Sequence, residues 1–209
     1  MRSYGQYCGL AKALDIIGDR WTLLIVRELL IRPCRYTDLR KGLPGIATNM
    51  LVDRLREMEE AGVVVREEAP PPVATTLFRL TKRGRDLEPA LLLLANWGAA
   101  LLTKSSGKEA FRTHWLALPL QLHLSDQHPR RPPIMIELRT GDEPITIAVA
   151  DGTIQIRMGQ TPSPDAILTG PHQLIMGVLV GRRDLNEARA AGLQFEGDVA
   201  VLRRVQSSD

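Results

Sequence analysis

RYTDLRKGLPGIATNMLVDRLREMEEAGVV (residues 35–64) reads as two helices joined by a glycine-proline turn. The first is short, near Thr37 to Lys41, with Tyr36 and Leu39 inward and Arg35, Arg40 and Lys41 outward. Gly42-Leu43-Pro44-Gly45 then turns the chain, since both residue types interrupt helices. The second helix starts near Thr48, whose hydroxyl can cap it, and stops at Gly62. A helix advances about 100° per residue, so with Leu51 at zero, Leu55 falls near about +40° and Met58 near about −20°. These three face a core. Asn49, Asp53 and Arg56 fall near about 160°, 200° and 140°, with Val52 near about 100°, so this group projects outward together.

The flanks supply context. Upstream, Leu10, Ala13, Leu14 and Ile17 recur at helical spacing and stop at Gly18. Asp19 is positioned to cap a further helix from Trp21, in which Trp21, Leu24, Ile25, Val26, Leu29 and Leu30 bury most of the circumference until Pro33. Downstream, Val63–Val65 reads as a strand, Pro70-Pro71-Pro72 as a loop tip and Thr76–Leu80 as the returning strand. Helix, turn, helix and two-stranded ribbon is the order of a winged helix-turn-helix. An outward polar face is by itself most often only solvated. In this order it matches what a major-groove helix needs: Asn49 to bond adenine, Arg56 to bond guanine or phosphate, a Val52 methyl to touch thymine. Thr48 at the positive helix end suits a phosphate. Arg35, Thr37, Arg40, Lys41 and, on the ribbon, Arg79 complete the expected contacts to double-stranded DNA, carrying affinity more than sequence choice. Asp53 is the awkward member, repelling phosphate unless it accepts from cytosine or pairs with Arg54 or Arg56.

Thr81 to Lys104 reads as a long helical stretch, with Leu87, Leu91, Leu94, Gly98 and Leu101 in one stripe. Leu92, Leu93, Ala95, Trp97 and Leu102 widen that stripe beyond the needs of one small domain, which points to a subunit interface. Pro89 kinks this helix or marks its true start. Composition changes at Ser105-Ser106-Gly107-Lys108, which sets expected domains at 1–104 and 105–209.

The 209 residues are 44% apolar and 24% charged, ordinary for a globular protein. Residues 1–103 hold 15 Lys+Arg against 12 Asp+Glu, whereas residues 104–209 hold 12 of each, so the whole net charge of +3 lies in the first half. That asymmetry agrees with a nucleic-acid-binding N-terminal half, although three charges alone decide little. No run of 18 apolar residues exists and the start lacks a signal-peptide core, so a cytoplasmic protein without membrane contact is expected. Cys8 and Cys34 are too few for a disulfide framework and too far apart for a zinc ligand pair. His114, His123, His128 and His172 lack metal-site spacing, and no nucleophile-elbow or phosphate-loop sequence occurs. Neither catalysis, nor a metal, nor a cofactor is expected.

The second half is mixed α+β. Phe111, Trp115, Leu118 and Leu122 suggest a helix, and Ile134, Ile136 and Leu138 alternate as in a half-buried strand. Asp151-Gly152 is a two-residue hairpin turn. It pairs Ala150 with Thr153, Val149 with Ile154, Ile147 with Ile156 and Ile145 with Met158, the last three pairs apolar on one face. A strand at 166–168, helices near 172–180 and 184–191 and a strand at 193–196 follow.

Residues 8–103 resemble the HxlR-type winged helix-turn-helix regulators of bacteria. The resemblance is carried by Cys8, ALDIIGDRWTLLIVREL (13–29), the segment 35–64, FRLTKRGRDLEP (78–89) and WG (97–98). It implies a homodimer assembled through the first and last helices of the domain, with two recognition helices about 34 Å apart on a pseudo-palindromic operator. The chain departs from the family pattern at Cys8-Gly9, where Cys-Pro is common, and at Ala47, where a serine cap is common. Some members sense oxidants through a cysteine at the position of Cys8; a small buried hydrophobe is the alternative there. DAILTGPHQLIMGVLVGRRDLNEARAAGLQFEGDVAVLRRV (165–205) looks like the SCP2 (sterol carrier protein 2) fold, which implies a mainly antiparallel five-stranded sheet covered by helices around an apolar tunnel. Candidate walls for an apolar effector are Trp115, Ile147, Val149, Ile154, Ile156, Leu174, Ile175, Val178 and Leu179, with plain core packing as the competing reading. The expectation is a dimeric one-component transcriptional regulator, by family habit a repressor. The alternatives are a redox-sensing regulator acting through Cys8, and a lipid carrier whose N-terminal half only dimerises.

Overall fold

The computed structural model describes residues 3–68, 75–102 and 109–206, and divides into two compact units, Met1–Trp97 and Gly98–Asp209. The expected Pro70–Pro72 loop tip and the Ser105–Lys108 boundary lie outside the described residues.

The N-terminal unit is built on helix α2 (Thr22–Ile31), whose Ile25, Val26 and Leu29 are wholly buried. Around it stand α1 (Gly9–Ile17), α3 (Tyr36–Gly42) and α4 (Thr48–Glu60), then the antiparallel ribbon β1 (Val64–Glu68) and β2 (Thr76–Leu80). Cys34 adds a third short rung, exchanging backbone hydrogen bonds of 2.8–2.9 Å with Phe78. Leu39, Leu51, Leu55, Met58, Val63, Val64 and Leu80 close one apolar core. Burial of six or seven such side chains, at about 1.5–3 kcal/mol each, is what holds helices this short in place.

One local expectation fails and another holds in one of its alternatives. Ala47, not Thr48, occupies the N-cap of α4, and no side chain caps it; Thr48 is already the first helical residue. The stretch after β2, expected to be kinked at Pro89 or to start there, is two helices, α5 (Lys82–Arg85) and α6 (Glu88–Ala99), so Pro89 marks the start of the longer one. The Thr81 hydroxyl accepts from Gly84 N (3.1 Å) and closes α5 into a single turn. Gly84 is buried where a Cβ would collide with the Val63 carbonyl, so the turn sits tight against the start of the ribbon. Pro89 is the second residue of α6, a place where its missing N–H costs nothing.

In the C-terminal unit a 3-10 turn (Thr113–Leu116) leads into α7 (Ala117–His123). Strands β3 (Ile134–Arg139), β4 (Ile145–Ala150) and β5 (Thr153–Met158) precede β6 (Ala166–Thr169), α8 (His172–Leu179), α9 (Leu185–Ala190), β7 (Gln194–Gly197) and α10 (Val199–Val205). The sheet order is β5-β4-β3-β6-β7, antiparallel except for the parallel β3–β6 pair. The β4–β5 register matches every pair read from the sequence, Ala150 with Thr153 through Ile145 with Met158. Asp151 (φ 51°) and Gly152 (φ 76°) both adopt the left-handed conformation that such a two-residue turn requires. Asp184 and Asp198 cap α9 and α10 through their carboxylates.

A buried ion pair ties this unit together. Arg204 on α10 holds Asp126 through two hydrogen bonds (2.9 and 3.1 Å) and also donates to the Pro132 carbonyl (2.5 Å). Asp126 in turn accepts from the backbone of His128 (3.0 Å) and of Gly152 in the hairpin turn (3.2 Å).

Candidate nucleic-acid interface

Helix α4 presents the face that its sequence periodicity draws. Leu51, Leu55 and Met58 are 0%, 2% and 1% exposed, while Thr48, Asn49, Val52, Asp53 and Arg56 all lie open to solvent. The helix is held in this rotation by contacts outside its apolar stripe. The Tyr36 hydroxyl of α3 donates to the Thr48 carbonyl (3.0 Å), fixing the start of α4. Arg54, on the inner side, pairs with Asp19 at the α1–α2 junction and with Glu57 (2.5 Å). Asp19 is therefore engaged with the recognition helix rather than capping α2, whose N-cap is Trp21. Arg54 also does not partner Asp53. Asp53 instead lies 3.7 Å from Arg56, an exposed pair of the kind that contributes about 0–1 kcal/mol and exchanges readily for other partners.

The cations follow α3. Arg35, Thr37, Arg40 and Lys41 are all exposed, and no ion pair among the described residues engages Arg40 or Lys41. Arg79 on the ribbon is exposed too, but its guanidinium is already held by Glu67 (2.5 Å). With Arg66 bound to Glu59 (2.8 Å), the described part of the wing is largely self-neutralised, whereas the positive charge on α3 is not. Sequence reasoning missed one member of the α4 surface. Met50 is 42% exposed beside Asn49, and its backbone N–H donates to Asn49 Oδ1 (2.9 Å). The same helical wheel puts Met50 off the apolar stripe, so the signal was available.

The two thiols differ sharply. Cys8, at the N-cap of α1, is exposed. Cys34 is buried, and burial, with the nearby Glu28 carboxylate adding to it, pushes its thiol up to about 12. At pH 8 one thiol per folded chain should react with a maleimide, at Cys8, with Cys34 following only on unfolding. Peptide mapping that finds Cys34 labelled as fast as Cys8 would contradict this.

The expected effector walls converge, but as a core. Ile147, Val149, Ile175, Val178 and Leu179 are at most 1% exposed, and Ile154, Ile156 and Leu174 pack against them as partly buried neighbours. Trp115 is half-buried. A surface cavity of about 350 Å³ between α8, α9 and α10 has only Val178 of that set in its lining. Among the described residues no cluster of three or more His, Cys, Asp or Glu could hold a metal ion, and no helix is long and apolar enough to cross a membrane.

Comparison with known proteins adds an independent line. The family profile described as HxlR-like helix-turn-helix matches residues 16–106. The HTH-type transcriptional regulator YdeP of Bacillus subtilis (strain 168) is 36% identical over 108 residues, which is 50% of this chain and 82% of that protein. The HTH-type transcriptional regulator sll1512 of Synechocystis is 31% identical over 102 residues, 49% of this chain and 76% of that one. Among solved structures, the redox regulator HypR in its reduced form is 30% identical, covering 47% of this chain and all of its own, at a TM-score of 0.42.

Proposed function

The chain belongs to the HxlR-like helix-turn-helix family of transcriptional regulators, and from that premise we propose that it works as a homodimer on a pseudo-palindromic operator, as a one-component repressor. It is a DNA-binding transcription regulator. The observation that carries the reading is the α4 surface: a polar face, open from Thr48 to Arg56, on a helix whose opposite face is locked into the core, with the exposed cations of α3 in the same unit. Asn49, Val52, Asp53 and Arg56 address base edges; Arg35, Thr37, Arg40, Lys41 and Thr48 address phosphates, and Arg79 joins them once Glu67 releases it.

Dimerisation is supported by large apolar side chains that stay exposed among the described residues. Leu93, Leu94 and Trp97 on α6 are 69%, 52% and 77% exposed, and Leu10 on α1 is 69% exposed. Contiguous apolar side chains of this size mark an interaction surface. Replacing Leu94 and Trp97 together by lysine is expected to give a monomer in sedimentation equilibrium and to weaken operator binding, because two half-sites are no longer linked. A variant that remains dimeric would move the interface elsewhere.

The boundary between a DNA-reading and an effector-bearing part belongs near residue 104 in this proposal. A five-stranded sheet with its helical cover supports reading the C-terminal unit as SCP2-like, and control by an apolar effector would require its helices to part from the sheet. A thiol switch at Cys8 is the second reading, favoured by the exposure of Cys8 at the start of α1. The experiment that tests the main reading is fluorescence anisotropy on promoter fragments across a salt series. Arg35, Arg40 and Lys41 from two protomers predict a slope of log affinity against log salt of about −5. Absent or salt-insensitive binding would overturn the regulator and leave the lipid carrier.

A further inference from the structure

We propose that the recognition helix reads thymine 5-methyl groups on both flanks of the base contacted by Asn49, with Met50 and Val52 as the specificity-determining residues. The inference rests on the regulator reading above. Met50 and Val52 are 42% and 51% exposed, although the residue between them, Leu51, is completely buried. Both lie in the first two turns of α4, the part of a recognition helix that reaches base edges. At about 100° per residue, Met50 stands about 100° to one side of Asn49 and Val52 about 60° to the other, with Asn49, Asp53 and Arg56 as the polar strip between.

An apolar side chain on either edge of a polar face contributes to binding when something apolar covers it. In the major groove the base edges offer one such group, the C5 methyl of thymine. Against the edges of guanine, cytosine or adenine, or against phosphate, the same side chains would strip water from polar atoms and return no hydrogen bond. Asn49 fits the middle of this arrangement. Its Oδ1 is held by the Met50 N–H at 2.9 Å, which leaves the amide N–H₂ to donate to an acceptor such as a purine N7 or thymine O4. The two flanks differ in stiffness. Val52 has little rotamer freedom and fixes its thymine strictly, whereas the unbranched Met50 can follow a base displaced by a neighbouring step.

The test uses an operator selected by the wild-type protein from genomic fragments, with each thymine of a half-site replaced singly by deoxyuridine, which lacks only the methyl. Two positions per half-site are expected to lose about fourfold in affinity each, the worth of burying one methylene-sized group. Met50→Ala should abolish the sensitivity at one of these positions and Val52→Ala at the other, leaving the remaining positions unchanged. Because the scan itself uses unaltered protein, its outcome does not depend on how the variants fold. A flat scan, a half-site without thymine at the contacted positions, or sensitivity that survives both variants overturns the thymine reading while salt-dependent operator binding persists. Failure to select any operator overturns the regulator reading with it.

Discussion

Val52→Asp is expected to lower operator affinity about a thousandfold or more, to the level of binding to unrelated DNA, while leaving the melting temperature unchanged. Val52 is half-exposed and outside the buried core, so the substitution falls among surface changes worth about ±0.5 kcal/mol in stability. In the complex the new carboxylate would enter a phosphate-lined groove beside the existing Asp53, twice per dimer. An unpaired charge buried in an interface costs about 2–5 kcal/mol, and two of them remove most of what separates specific from non-specific binding. Anisotropy at fixed salt measures the affinity and thermal unfolding checks the fold. Operator affinity close to wild type would mean that α4 does not enter the groove.

The second large effect lies in the other unit. Arg204→Ala should destabilise it by about 3–5 kcal/mol, because the deletion strands Asp126 as a buried, unpaired carboxylate. Arg204 and Asp126 side chains are 3% and 0% exposed. The loss would spread, since Asp126 also holds the backbone of His128 and of Gly152 at the β4–β5 turn. The Arg204 guanidinium, with those two backbone donors, holds the Asp126 carboxyl at about 2, well below its ordinary value. A carboxyl with a lowered pKa in the folded state stabilises fully above its unfolded value of about 4 and loses that contribution as pH falls toward 2. Urea unfolding of the full chain should therefore weaken between about pH 4 and 2 in the wild type, and much less in Arg204→Ala, which lacks the pair. Equal acid sensitivity in both proteins would assign the pH dependence to other carboxylates.

Much of this architecture is legible from local patterns, and what is not depends on contacts that no local pattern encodes. The β4–β5 register is readable because a two-residue turn fixes every pair and period-two alternation then tests it. The outward face of α4 is readable because Leu51, Leu55 and Met58 leave one choice of helix rotation. The restart at α6 is legible because Pro89 suits the first turn of a helix, whereas the separate turn of α5 is hidden: only the Thr81 cap and the close approach at Gly84 reveal it. The pairing of Arg54 is hidden for a related reason. The helical wheel puts Arg54 near about −60°, on the inner side and well away from Arg56, but its partner Asp19 is 35 residues away and no local pattern names it. Apart from Trp115, the candidate effector walls lie in or against one apolar core, and periodicity cannot tell a tunnel lining from a filled core.

Radical oxidation of the protein alone and on its operator, read by mass spectrometry, tests the central claim most directly. Met50 on the open face of α4 should oxidise readily in the free protein and fall, once DNA is bound, to the low level of Met58 on the buried face. Met50 oxidised equally with and without bound operator would mean that DNA is gripped by some other surface.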